Sequence, residues 1–173
     1  MANPHIAVIR LTDSGSFDPD VRDTLIVGPG MGTSAAGIFT EMAQHLTHRF
    51  QVIGIDLPGQ GQSPAHHAPI TIQEIAAAVA QLVKNLRHTG TIKGASRVYF
   101  AGLSISGQVA LELALEHADL FDGIAVMASA PKIGTHQDWE ERYNLVLESG
   151  TEAMVEMSAS LWVAQGFAGT EKL

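Results

Sequence analysis

The segment Val98-Tyr-Phe-Ala-Gly102-Leu-Ser104-Ile-Ser106-Gly107 holds the residues best spaced to do chemistry. It nearly spells Gly-x-Ser-x-Gly, the sharp strand-to-helix turn that lifts a serine hydroxyl clear of the backbone as a nucleophile. Ser106 stands at the second glycine position. The places two before and two after such a serine crowd the neighbouring strand and helix, so only small residues fit there. Gly102 meets that demand fully, and Ser106, with one hydroxymethyl group, meets it in part. If Ser106 were the nucleophile, Gln108 would fill the crowded place, and its side chain is too large. Ser104 is therefore the serine that the spacing selects. The competing reading is a serine N-cap at an ordinary helix start, which needs no chemistry.

Gly28–Ser34 (GPGMGTS) is a second candidate. Its glycines let backbone N–H groups face a ligand. One reading is an oxyanion-binding loop after a buried strand; the other is a dinucleotide phosphate loop. Gly28 and Gly30 fit Gly-x-Gly-x-x-Gly, and Asp56 at the end of the next strand resembles a ribose acid. Position 33 is Thr, however, and no Gly-Lys-Ser/Thr follows, so neither phosphate-loop fingerprint is complete. Asp56 opens a turn-rich segment, Asp56–Ser63 (DLPGQGQS), where a carboxylate that braces backbone N–H groups is expected over one that transfers protons.

The chain has eight histidines. His66 and His67 are adjacent, point different ways and lack a third ligand at metal spacing, so no metal site is expected. His45, His48, His88 and His117 fall near predicted helix C-termini, where the helix dipole favours a cation. His136 follows the fourth apolar run, within reach of a substrate. No cofactor is called for by any of these patterns.

The elements that would position these residues alternate. His5–Leu11 is a short β-type run, and residues 12–23 are a polar loop. Thr24–Val27, Gln51–Ile55, Val98–Ala101 and Gly123–Met127 read as strands buried on both faces. Helical periods cover Ala36–His48, Ile72–Leu86 and Ser104–His117. Thr71 and Glu74 form a capping box before the second of these. The pattern predicts an α/β fold: a doubly wound, mostly parallel sheet. After Pro131 the strands stop. Two helices over 137–149 and 151–165, carrying Trp139, Tyr143, Leu147, Met154, Met157, Leu161 and Trp162, suit packing or a lid over an apolar site. The expected division is 1–134 for the core and 135–173 for a helical cap segment.

Composition narrows the function classes. Of 173 residues, 46% are hydrophobic and 16% charged, a globular composition with room for a core. The formal charge of −8 and the lack of a Lys/Arg cluster exclude nucleic acid as the main partner. Without cysteine there is no thiolate nucleophile and no disulfide framework. The N-terminus does not read as a signal peptide, and no apolar run approaches the roughly 20 residues of a membrane span. A soluble cytoplasmic protein is expected, with self-association left open.

The order of parts resembles the α/β-hydrolase family: a Gly-rich loop after an early strand, Asp56-x-Pro-Gly-x-Gly-x-Ser63, Gly102-Leu-Ser104-Ile-Ser106-Gly107 entering a helix, then a strand before a helical insertion. Ala128–Asp138 (ASAPKIGTHQD) and Trp139-x-x-Arg142 are similar to the 3-oxoadipate enol-lactonase branch. The resemblance covers about residues 5–165. It implies a hydrolase of a small-molecule ester or lactone, with Ser104 as nucleophile and the backbone N–H groups of Met31 and Ile105 as the oxyanion hole. His136, Trp139 and Arg142 are the residues expected to touch substrate. Pro29-Gly30 stands where many relatives have His-Gly, a change that spares a backbone donor. The family's acid and histidine follow the serine in chain order, and neither has a match before Leu173. The resemblance thus implies an N-terminal part, with the C-terminal strands, the acid and the histidine on a further segment as its partner. Two other readings remain: a non-catalytic, hydrolase-like small-molecule binding module, and a dinucleotide-binding protein.

Overall fold

A computed structural model of the chain describes residues 4–12, 23–155, 158 and 162. The loop expected between Thr12 and Asp23 lies outside the described residues. So does most of the expected helix over 151–165, with Met157 and Leu161; Thr151–Met154 form a 3₁₀ turn.

Five strands form one sheet: β1 (Ala7–Arg10), β2 (Asp23–Gly28), β3 (Phe50–Asp56), β4 (Val98–Leu103) and β5 (Gly123–Met127). Their spatial order is β1-β3-β2-β4-β5. The pairs β2–β3, β2–β4 and β4–β5 are parallel, and β1 lies antiparallel on β3. Four α-helices, α1 (Ala35–Leu46), α2 (Ile72–His88), α3 (Ile105–Glu116) and α4 (His136–Ser149), and a second 3₁₀ turn at Ala118–Leu120 complete the described elements. This is the mostly parallel α/β architecture that the alternating pattern predicts.

The sheet is apolar on both faces because alternate side chains of each strand point to opposite sides. Ile26, Ile53, Ile55 and Phe100 pack with Ile75, Val79 and Val83 of α2 and Val109 and Leu113 of α3. Their neighbours Val27, Val52 and Ala101 face the other way, onto Ala35, Phe39 and Ala43 of α1. A strand with helices on both faces reads as a continuous apolar run, and β2, β3 and β4 are buried in this way.

β5 corrects one expectation. Gly123–Met127 reads as buried on both faces, yet Val126 is 41% exposed. Among the described strands β5 pairs only with β4 and forms the border of the sheet. An apolar run encodes affinity for a sheet without encoding a place within it.

The chain divides into two compact units, Met1–Lys132 and Ile133–Leu173. The first holds the sheet and α1–α3; the second holds α4. Thr71 and Glu74 form the capping box that the sequence predicts for α2, and Thr135 and Asp138 form another at α4. No helix among the described residues is long and apolar enough to cross a membrane.

Candidate active site

The strand order reverses between β2 and β4. The chain leaves β2 towards β3 on one side, then crosses back to β4 on the other. Open parallel sheets bind ligands in the crevice at such a switch point, beyond the carboxyl ends of the strands. Gly28 of β2 pairs with Gly102 of β4 at that end. Both Gly-rich candidates from the sequence therefore emerge side by side.

Ser104 sits between β4 and α3 with φ 53° and ψ −116°. These values are unfavourable for any residue with a Cβ and cost of order 1–3 kcal/mol. The N-cap reading fails on two counts. A capping serine takes extended backbone and accepts a bond from the helix start, whereas Ser104 is not extended and its side chain makes no cap bond. The bend is held through its backbone instead. The Ser104 N–H donates to Met127 O (2.9 Å), and Ser104 O accepts from the Ser129 hydroxyl (2.6 Å) and from Gly107 N–H (2.8 Å). Ala128, between those two supports, is also in the positive-φ region at 43°.

The glycines around the bend are sterically required. A Cβ on Gly102 would lie 2.0 Å from the Ser106 carbonyl oxygen, and one on Gly107 would lie 2.4 Å from Ser129 Cβ. Ser106 is completely buried, and its hydroxyl donates to Pro29 O at 2.6 Å. Its burial and its bond leave it no access to a substrate. The side chain of Gln108 reaches away, with Nε2 3.3 Å from the carbonyl oxygens of Ala130 and Pro131.

The Gly28–Ser34 loop runs beside Ser104. A Cβ on Gly30 would lie 3.6 Å from Ser104 Cβ, at ordinary contact distance. Gly30 O accepts from Thr33 Oγ1 (2.8 Å), Thr33 N–H (3.3 Å) and Gln60 Nε2 (3.3 Å). Gln60 Oε1 accepts from Gly32 N–H. Met31, between Gly30 and Gly32, is 45% exposed. Ile105 opens α3 immediately after Ser104.

Asp56 braces loops, as the sequence suggests. It is 1% exposed. Its Oδ1 accepts from Ala35 N–H and its Oδ2 from Gln62 N–H, each at 2.8 Å. A Cβ on Gly61 would fall 2.0 Å from Oδ2, so the loop closes directly over the carboxylate. This geometry removes the support for a dinucleotide site. The α1 N-terminus, where a pyrophosphate would bind, already holds Asp56 and the Ser34 cap, and the presumed ribose acid is buried.

The sequence candidates Trp139, Arg142 and His136 lie in the second unit. Trp139 Nε1 donates to Ile133 O at 2.6 Å, and the Arg142 guanidinium stands 4.8 Å from the Trp139 ring centroid. The His136 side chain is 93% exposed, with Nδ1 3.8 Å from Glu140 Oε2. His66 and His67 are exposed in the loop between β3 and α2. Sequence reasoning missed Gln60, Thr33 and Ser129. Only the length of the Asp56–Ser63 turn hints at Gln60, and nothing local marks the other two.

A family model described as alpha/beta hydrolase fold matches residues 23–151. The chain is 27% identical over 152 residues to 3-oxoadipate enol-lactonase 2 of Acinetobacter baylyi, covering 88% of this chain and 54% of that protein. It is 31% identical over 131 residues to the pimeloyl-(acyl-carrier protein) methyl ester esterase of Vibrio cholerae, covering 76% and 46%. The solved enol-lactonase from Burkholderia xenovorans superposes with a TM-score of 0.69 at 23% identity, covering 91% of this chain and 55% of that one. At that identity the likeness is one of fold. The chain spans about half the length of the curated relatives it matches.

Proposed function

The chain belongs to the alpha/beta hydrolase fold family, and from that premise we propose that it carries the nucleophile and oxyanion hole of a cytoplasmic serine hydrolase. The substrate class is a small-molecule ester or lactone, with an enol-lactone favoured. The observation that carries the reading is the bend at Ser104: unfavourable φ and ψ, maintained by backbone bonds, around a side chain that caps nothing. Strain of this kind persists where the surrounding structure over-determines it, and it clusters at active sites. The names of the relatives, a lactonase and a methyl ester esterase, support a carboxylic ester carbonyl. The enol-lactone preference rests on Ala128–Asp138 and Trp139-x-x-Arg142, with His136, Trp139 and Arg142 as substrate contacts.

In this mechanism Ser104 Oγ adds to the carbonyl carbon as its proton passes to a histidine base. The carbonyl oxygen takes up the negative charge and is met by the N–H groups of Met31 and Ile105. Collapse breaks the bond to the alcohol oxygen, which takes the proton from the histidinium. Water, deprotonated by the same base, then adds to the acyl carbon; the bond to Ser104 Oγ breaks, Oγ takes the proton back from the histidinium, and the acid leaves. The histidine and the carboxylate that orients it belong, in this proposal, to a segment beyond residue 173. Without them the chain retains binding and oxyanion contributions alone, a loss on the order of 10⁴-fold or more in kcat.

A fluorophosphonate probe with mass-spectrometric mapping tests the reading. Labelling is expected at Ser104 in polypeptide whose intact mass includes the C-terminal segment, and Ser104→Ala abolishes it. Unlabelled Ser104 in such material overturns the hydrolase reading in favour of a binding module.

A further inference from the structure

Ser106 departs from the glycine of the elbow pattern, and the structure gives that departure a use. Its hydroxyl is fully buried, and a buried hydroxyl is costly unless hydrogen-bonded. The bond it makes, to Pro29 O, crosses from the first turn of α3 to the loop after β2. Room for it exists because residue 28 is glycine: a Cβ there would lie 2.7 Å from Ser106 Oγ. The next carbonyl along, Gly30 O, is held by Thr33 and by Gln60 Nε2, while Gln60 Oε1 takes the Gly32 N–H. Two consecutive peptide carbonyls are thus fixed, one from the elbow and one from the β3–α2 loop. In a trans peptide the C=O and N–H point in opposite directions. Holding Gly30 O therefore aims the Met31 N–H, which shares its peptide plane.

We infer that Ser106 and Gln60 are positioning residues for the Met31 amide, tying a glycine-rich loop to the nucleophile's helix on one side and to the Asp56–Ser63 turn on the other. The inference rests on the hydrolase reading for its catalytic meaning. A loop with glycine at 28, 30 and 32 has wide backbone freedom, and an oxyanion donor is effective only when it is oriented before the charge develops.

The test uses the full polypeptide, with Ser106→Ala and Gln60→Ala compared with the parent on p-nitrophenyl acetate and by amide hydrogen exchange. Gln60 is partly exposed, so its variant keeps the fold. Deleting an oxyanion donor costs about 10²–10³ in kcat, and loosening one is expected to cost about 10-fold, with KM within about twofold. Exchange at Thr33, whose N–H is bonded to Gly30 O, is expected to rise about 10-fold or more while α2 is unchanged. Gln60→Glu, which keeps the acceptor for Gly32 and loses the donor to Gly30, should fall with Gln60→Ala. Unchanged exchange at Thr33 in both alanine variants overturns the inference, as does a lowered Tm with unaltered kcat. A parent that turns over nothing overturns the hydrolase reading instead, and the exchange data still decide the tether.

Discussion

Ser104 carries strain that a glycine would not. Ser104→Gly is expected to raise stability by about 1 kcal/mol in urea titration, since relief of the backbone exceeds glycine's added freedom when unfolded. Gly102→Ala should act oppositely. Its Cβ meets main chain, not a movable side-chain tip, and a loss of about 3 kcal/mol or more is expected by the same titration. The pair separates backbone strain at the bend from space required for folding. Ser104 was legible in the sequence because Gly102 and the flanking apolar segments are its immediate neighbours. Ser106 was legible as an oddity, but its partner Pro29 is 77 positions away. Gln60 reaches across 28 and 30 positions. Local pattern does not encode pairings that the crossover of the sheet creates.

At the scale of elements, helix starts were the most readable features, because a capping box is contained in four residues. The Glu74 carboxyl is held below its ordinary pKa chiefly by the backbone N–H of Thr71, then by the Thr71 hydroxyl. A carboxyl depressed by folding contributes stability above its unfolded pKa, and that contribution disappears as pH falls through the folded value. Amide protection at the start of α2 is therefore expected to be constant near neutrality and to decline on acidification from the ordinary carboxylate value downward. Glu74→Gln should flatten that decline in pH-dependent hydrogen exchange. Thr71→Ala should cost about 1 kcal/mol at neutral pH. β5 was the least readable element: its composition matches β2 and β4, and only the strand order makes it a border.

Across the whole molecule, the sheet separates two apolar layers that share its strands. Phe100 is 1% exposed in the larger layer, with its ring 6.1 Å from that of Phe121. Phe100→Ala is expected to cost about 3–5 kcal/mol, read as a fall in the urea midpoint. Its neighbour Ala101 faces α1, so the two layers meet at the strand that leads into Ser104. The alternation of apolar runs and helical periods made this layered plan visible from the sequence.

Ser104 has its N–H on Met127 and its carbonyl on Ser129, the last residue of β5 and the second residue beyond it. The bend is thus anchored to β5, the border strand among the described ones, and not to the central strands β2 and β3. Whatever fixes the Met127 carbonyl and the Ser129 hydroxyl also steadies the serine, and whatever displaces them lets it relax.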